Sequence, residues 1–117
     1  MTIALWIASI LGALMFGMHG VIFLQPTRAR AQLPYATPLG DGLLRTIGAL
    51  EVLGALGLIL PSATGIAPWL TPVAGLGLAA VMVLAIAFHV MRREWPNIAF
   101  NLVLGLIAAF VAYGRLA

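Results

Sequence analysis

Four long apolar runs, separated by short segments that contain prolines and arginines, limit most strongly what this chain can fold into. The runs cover residues 3–24, 43–60, 70–91 and 97–113. At a rise of about 1.5 Å per residue, a helix of about 20 residues spans the roughly 30 Å hydrocarbon core of a bilayer. The sequence therefore predicts an all-α membrane protein in which residues 1–117 form a single domain, a bundle of four transmembrane helices.

Composition indicates the same class of protein. Hydrophobic residues make up 63% of the 117 residues and charged residues only 8%, too few to cover the surface of a water-soluble domain. The chain has no cysteine, which excludes disulfides, cysteine-ligated metals and thiol redox chemistry within it. The six basic residues are all arginines at or near the ends of the runs. Membrane-interface anchors have this distribution, so no nucleic-acid partner is expected.

The segments between the runs differ in length. The longest, residues 25–42, holds three prolines and predicts a long loop between helices 1 and 2 that packs over one end of the bundle. Pro61 is expected to end the second helix. The first run is too long for the apolar core of a signal peptide and follows no basic residue, so we expect it to be retained as a transmembrane helix.

Five polar side chains interrupt the runs, and helical geometry places them together. They are His19, Glu51, His89, Asn97 and Asn101, and all fall in the half of the bilayer nearest the arginine-bearing segments. Each also lies on the stripe of small or slim residues of its helix, the face with which membrane helices approach one another. We therefore expect the five side chains to point into one shared interior.

Glu51 is the most informative of these residues, because an ionised carboxylate that faces lipid costs about 2.5–3.5 kcal/mol on insertion scales. It must be paired or neutral. His19 and His89 on neighbouring helices are candidate partners, and so is Arg45, whose long side chain could reach although it lies about 120° round the helix. The candidate ligand-binding or proton-exchanging residues are Glu51, His89, Arg45, His19 and Asn101, and no catalytic residue is assigned.

An architectural interpretation stands beside the functional one for each residue. Glu51 could form a buried ion pair that only fixes helix register, His89 could be a boundary histidine, and His19 could simply pack. Asn101 could make an interhelical hydrogen bond. The two histidines could also ligate a haem, but no second shell supports that use. No carboxylate–histidine pair has metal-ligand spacing within one helix, so neither a metal nor a covalent cofactor is expected.

The segment RTIGALEVLGALGLILP, from Arg45 to Pro61, and the Ala85-x-x-x-His89 end of the third run resemble the DoxX-like family of small four-helix membrane proteins. The resemblance covers about the whole chain, and R-x-x-G-x-x-E-x-x-G-A-x-G-L-x-x-P is its most specific part. Members often carry a lysine late in the first helix, where this chain has His19. The resemblance implies redox work at the membrane. Named relatives include the small membrane subunit of thiosulfate:quinone oxidoreductase and a membrane component that assembles with superoxide dismutase and a sulfurtransferase.

These observations favour a membrane subunit of a redox system, such as an accessory subunit of a quinone-linked oxidoreductase. It would bind a quinone-like or other amphipathic small molecule at the polar cluster around Glu51. Electrons would come from a soluble or membrane redox partner protein.

Alternatives stay open. One is a proton-coupled small-molecule transporter, because four-helix exporters also depend on one intramembrane glutamate. Another is a non-catalytic membrane scaffold for soluble redox enzymes. A third is an isomerase or hydrolase acting on a lipid-soluble substrate, but no feature of the sequence indicates such a substrate. Pairs of small residues four apart, such as Gly105 and Ala109, suit internal packing and a homodimer equally.

The distribution of arginines predicts the orientation of the protein. Five lie at one end of the four-helix arrangement: Arg28, Arg30, Arg45, Arg92 and Arg93. Arg115 lies alone at the other end. The positive-inside rule then puts the arginine-bearing segments in the cytoplasm and both termini outside, most simply in a bacterial inner membrane. A reporter that is active only outside the cytoplasm should be active when fused after Ala117. Activity of a cytoplasm-only reporter at the same position would contradict this orientation.

Overall fold

The computed structural model describes residues 2–116, and this part of the chain is helical with no strand. Its four long helices are α1 (Thr2–Phe23), α3 (Asp41–Thr64), α4 (Leu70–Met91) and α5 (Trp95–Leu116). All four are long and apolar enough to cross a membrane. The prediction of an all-α membrane protein built on four such helices is confirmed.

The four long helices pack in a ring, with α1 against α3, α3 against α4, α4 against α5 and α5 against α1. The inside of the ring is filled by large apolar side chains, among them Phe16, Leu58 and Leu78. The outside also carries large apolar side chains, such as Leu53 and Leu84, which are 66% and 71% exposed. A helix that is apolar on both its inner and outer faces is typical of a membrane span, because lipid covers the outer face.

The segment between α1 and α3 is more structured than the predicted long loop. It contains the short helix α2 (Pro26–Gln32) and a 3-10 turn (Pro34–Ala36). Both pack over one end of the bundle, where Ala29 and Ala36 are buried against Phe23 and Leu44. This cap is held closed by Arg30, whose guanidinium donates to the Leu39 carbonyl at 2.7 Å and to Asp41 at 2.6 Å. Arg30 therefore does more than anchor the chain at the interface.

The expectation that Pro61 ends the second transmembrane helix was wrong. Helix α3 continues through Pro61 to Thr64 and ends at Gly65, which has the left-handed conformation of a C-cap (φ 73°). Proline lacks an N–H and so leaves the carbonyl four residues earlier, that of Gly57, without its helical donor. The Thr71 hydroxyl of α4 donates to this carbonyl at 2.9 Å. A hydrogen bond from the neighbouring helix thus compensates for the one that proline removes.

Helices α1 and α3 approach most closely where two glycines face each other. A methyl group added to Gly48 would lie 2.7 Å from the Gly20 carbonyl oxygen, and one added to Gly20 would lie 2.8 Å from that of Gly48. At each of these two positions, only glycine leaves enough room for the backbone of the opposite helix. The crossing point lies one residue after His19 and three residues before Glu51. The close approach therefore sets the distance between these two side chains.

This crossing generates a prediction. We expect Gly48→Ala to destabilise the folded protein by about 1–3 kcal/mol, because the added methyl would force the two backbones apart. The control is Gly77→Ala on α4, where an added methyl meets no atom within 4 Å and helix propensity favours alanine by about 0.5–1 kcal/mol. Thermal unfolding in mild detergent measures both effects. A Gly48→Ala variant as stable as Gly77→Ala would refute the close crossing.

Candidate functional site

A cavity of about 360 Å³ lies within the capped end of the bundle, between α1, α3, α4, α5 and the 3-10 turn. Most of its wall is apolar. Besides Thr46, whose hydroxyl donates to the Gly42 carbonyl of its own helix, five hydrogen-bonding side chains converge on it from five different elements: His19, Tyr35, Glu51, His89 and Asn101. A mostly apolar cavity with a few convergent polar groups is typical of a small-molecule site.

Glu51 on α3 is the most deeply buried charged group of the cavity, with 1% of its surface exposed. Its carboxylate lies 2.6 Å from Nδ1 of His19 on α1. The other ring nitrogen of His19, Nε2, lies 2.6 Å from the hydroxyl of Tyr35 in the 3-10 turn. Glu51, His19 and Tyr35 thus form a continuous hydrogen-bonded series from the interior of the bundle to the cap. We call it the Glu51 series.

The direction of these hydrogen bonds depends on where the protons lie, because the distances suit either direction. An ionised Glu51 carboxylate only accepts, and Nδ1 of His19 would then carry a proton and donate it to Glu51. The second nitrogen of a neutral imidazole is then an acceptor, and the Tyr35 hydroxyl donates to it. Both ring nitrogens of His19, the Tyr35 hydroxyl and one oxygen of the Glu51 carboxylate have a partner in this arrangement, as an apolar environment requires.

A second pair forms where α4 ends. His89 is 2% exposed, and its Nδ1 lies 2.9 Å from the Glu94 carboxylate, which also accepts from Nε of Arg92 at 3.3 Å. The hydrogen bond from His89, opposed by partial desolvation and aided by the charge of Arg92, holds the pKa of Glu94 below its ordinary value. The ionised Glu94 leaves Nε2 of His89 as the nitrogen available to the cavity.

Backbone geometry explains how Glu94 reaches His89. Helix α4 ends in a Schellman motif, in which the Glu94 N–H donates to the His89 carbonyl at 2.9 Å and the Arg93 N–H donates to that of Val90 at 3.1 Å. Arg93 occupies the left-handed position of the motif, with φ 56°, a position that glycine usually fills. This motif turns the chain back on itself and places the Glu94 side chain beside the last turn of α4.

Tyr35 joins the two pairs. Its ring meets that of His89 edge-on, with the centroids 4.9 Å apart and the planes at 82°, and its hydroxyl belongs to the Glu51 series. Burial raises the pKa of the Tyr35 hydroxyl, and the charges of Glu51 and Glu94 raise it further. Tyr35 therefore keeps its proton and acts as a hydrogen-bonding group.

Of the six residues singled out in the sequence, four line this one cavity, whereas Arg45 and Asn97 do not, so the expectation that Asn97 shares the interior was wrong. His19, Glu51 and His89 are described above, and Asn101 on α5 lies on the wall with 9% of its surface exposed. Arg45 is exposed, because a separation of six residues turns it about 120° away from Glu51. The partner of Glu51 is His19.

Two residues of the site were missed in the sequence. Tyr35 and Glu94 both lie outside the long helices, so helical spacing gives no information about them. Their positions depend on the 3-10 turn and on the left-handed Arg93. The available signals were a hydrogen-bonding aromatic residue in a proline-rich segment and a carboxylate directly after an arginine pair.

The cavity opens toward the lipid-facing surface between α3 and α4. Three large apolar side chains both line it and are exposed on the outside: Leu43 and Leu50, each 51% exposed, and Leu84, 71% exposed. The polar groups lie at the other, inner side. An amphipathic molecule would thus find apolar wall at the entrance and hydrogen-bonding groups at the end.

Fold and site together define a small integral membrane protein whose capped four-helix bundle encloses a partly polar cavity with an opening toward lipid. The chain belongs to the DoxX-like family, whose family model matches residues 7–111. The comparison with curated proteins found no match, and neither did the comparison with solved structures. Among residues 2–116, no three histidine, aspartate or glutamate side chains form a group that could hold a metal ion.

The Glu51–His19 pair generates a stability prediction. His19→Ala should destabilise the protein by about 3–5 kcal/mol, because it leaves a buried carboxylate without its partner. The double variant His19→Phe with Glu51→Leu removes both polar groups and should lose much less. Unfolding midpoints of the wild type, His19→Phe, Glu51→Leu and the double variant in mild detergent give the coupling energy. Purely additive losses would mean that the two side chains do not interact.

Proposed function

We propose that this protein binds a quinone-like or other amphipathic small molecule in the cavity and serves as the membrane subunit of a redox system. The observation that carries the proposal is the convergence of His19, Glu51, His89 and Asn101 on one mostly apolar cavity. Burying polar groups inside a membrane bundle costs free energy unless they are hydrogen-bonded, and ionisable residues within membrane spans are rare and commonly mark ligand or proton sites.

The polar end of the cavity suits a head group with carbonyl or hydroxyl oxygens. Asn101 makes no described hydrogen bond to another residue, so its amide is free both to donate and to accept. The Nε2 atom of His89 is free as well, since Nδ1 is occupied by Glu94. Together with the Tyr35 hydroxyl, these groups offer donors and acceptors to the two sides of a planar head.

The apolar end suits a hydrocarbon tail. The opening between α3 and α4 is lined by leucines that are exposed on the outer surface, so a tail could remain in the bilayer while the head enters the bundle. A cavity of about 360 Å³ falls within the range of about 300–1,000 Å³ that is common for small-molecule sites. It is large enough for a head group and too small for a long isoprenoid chain.

Electron transfer would need a partner protein, because the chain has no cysteine and contributes no redox group of its own. We place that partner on the capped side of the bundle. Arg28 and Arg45 are exposed there, and the cavity lies directly beneath the cap. In this arrangement the subunit binds the lipid-soluble substrate, and the partner supplies or removes the electrons.

Mass spectrometry of the lipids and quinones that co-purify with the protein tests the proposal. We expect a specific quinone or isoprenoid with the wild type and a loss of roughly tenfold or more in Glu51→Gln, which changes the hydrogen-bonding of the head-group site. The matched control is Asp41→Asn, the same type of change at an exposed carboxylate outside the cavity; the amide oxygen can still accept from Arg30 and keep the cap in place. It should retain the ligand.

Two results would contradict the proposal. If only bulk phospholipid accompanies the wild type and both variants, the polar cluster is not a ligand site, and the scaffold interpretation gains weight. If the ligand is retained equally in Glu51→Gln and Asp41→Asn, the molecule binds elsewhere on the bundle.

A further inference from the structure

The Glu51 series has two ends with different surroundings. At one end the Glu51 carboxylate is enclosed in the bundle with 1% of its surface exposed, and at the other end the Tyr35 hydroxyl lies on the wall of the cavity. The connecting residue, His19, has both ring nitrogens in hydrogen bonds of 2.6 Å. Glu51 lines the same cavity, and through His19 a proton taken up by the series can be shared between Glu51 and Tyr35.

Without an extra proton, the series runs in one direction. Nδ1–H of His19 donates to ionised Glu51, and the Tyr35 O–H donates to Nε2. The hydroxyl proton of Tyr35 is thus used internally, and its oxygen offers only lone pairs to the cavity. In this state the site can accept a hydrogen bond from a ligand hydroxyl at Tyr35 but cannot donate one there.

One added proton reverses the series without any side-chain movement. The proton arrives from water at the Tyr35 oxygen, the former hydroxyl proton moves to Nε2 of His19, and the Nδ1 proton is shared with Glu51 across the 2.6 Å contact. The net charge of the three groups changes from −1 to 0. Tyr35 now accepts from Nε2–H, so its own O–H is free to donate into the cavity.

We propose that the Glu51 series is a one-proton switch that adapts the site to the carbonyl or the hydroxyl form of its ligand. The inference rests on the proposed function and deepens it. The protonated series donates from Tyr35 to a ligand carbonyl, as in a quinone, whereas the unprotonated series accepts from a ligand hydroxyl, as in a quinol. Binding of the carbonyl form is therefore coupled to the uptake of one proton, and binding of the hydroxyl form is not.

The other charged or polar groups around the Glu51 series are paired with one another or do not titrate, so the series is the part of the site that can change its protonation. From α4, His89 meets the Tyr35 ring and is held by Glu94, which in turn pairs with Arg92. From α5 the facing residue is Asn101, which does not titrate. On the cap, Arg30 of α2 is paired with Asp41. The raised pKa of Tyr35 suits a group that passes a proton on and does not itself become charged.

The experiment uses decylubiquinone and its quinol as probes, under anaerobic conditions, with the full chain in mild detergent. Affinity is measured by equilibrium dialysis from about pH 5 to about pH 9, the interval between ordinary carboxyl and phenol pKa values. For the wild type, quinone affinity should rise as the pH falls, by up to about tenfold per pH unit, the limit for uptake of one proton. The affinity for the quinol should not rise as the pH falls.

The variant Tyr35→Phe keeps the ring and removes the hydroxyl, so protonation of the series can no longer change the hydrogen bond that position 35 offers to a ligand. Its quinone affinity should lose the pH dependence. Tyr113→Phe, the same change at a 70% exposed tyrosine near the end of α5, should keep it. In weakly buffered solution, quinone binding should take up as much as one proton per molecule with the wild type and with Tyr113→Phe, and none with Tyr35→Phe. Unfolding midpoints confirm that the variants are folded.

The outcomes separate this inference from the function on which it rests. Quinone and quinol that both bind the wild type with pH-independent affinity would overturn the switch and leave the proposed binding function intact. A pH dependence that persists in Tyr35→Phe would also overturn it, because the dependence would then not act through the Tyr35 hydroxyl. If neither probe binds at any pH, both the binding function and the switch fail.

Discussion

A carboxylate inside a bundle that is surrounded by lipid has to be neutral or paired, and the 2.6 Å contact between Glu51 and His19 meets this requirement. The contact joins α1 to α3, and it needs both helices at a fixed separation. Gly20 and Gly48 provide that separation, because neither backbone leaves room for a side chain at the crossing. The second nitrogen of His19 then has to be satisfied in turn, and the cap supplies Tyr35 for it. The arrangement of this whole end of the bundle thus follows from one buried charge.

Both ends of the bundle use the same solution for polar atoms that helices leave unpaired. At the end away from the cap, Thr71 of α4 donates to the carbonyl that Pro61 leaves free in α3. At the capped end, the Schellman motif after α4 satisfies the last carbonyls of the helix and brings Glu94 to His89. In each case a neighbouring segment provides the missing hydrogen bond where lipid cannot. The capped end combines this with a cavity lined by several polar side chains, whereas the cavity beside Pro61 is lined by apolar residues and glycines, which is why the candidate site lies at the capped end.

The sequence predicted the fold because length and hydropathy alone identify four membrane helices. It also predicted that His19, Glu51, His89 and Asn101 lie close together, since helix rise gives depth and the small-residue stripe gives rotation. Helical periodicity gave no information on Tyr35 and Glu94, which lie on a 3-10 turn and after a left-handed Arg93. Side-chain length alone was a poor guide for Arg45. It points about 120° away from Glu51 around the helix, and His19 on the facing helix is the residue that contacts the carboxylate. Pro61 was misjudged for a related reason, because its compensating donor comes from another helix.

The position of the cavity opening has a consequence for how tightly any ligand needs to bind. Because the leucines of the opening are exposed on the outer surface of the bundle, a ligand bound as proposed would enter by lateral diffusion within the bilayer, where lipid-soluble molecules are already concentrated. Its relevant concentration is a mole fraction relative to lipid, and its competitors are the acyl chains themselves. A site of modest intrinsic affinity can then be well occupied, while selectivity has to come from the head group. Occupancy in a cell would therefore follow the size and composition of the lipid-soluble pool, and it would be nearly insensitive to the concentration of the same molecule in water.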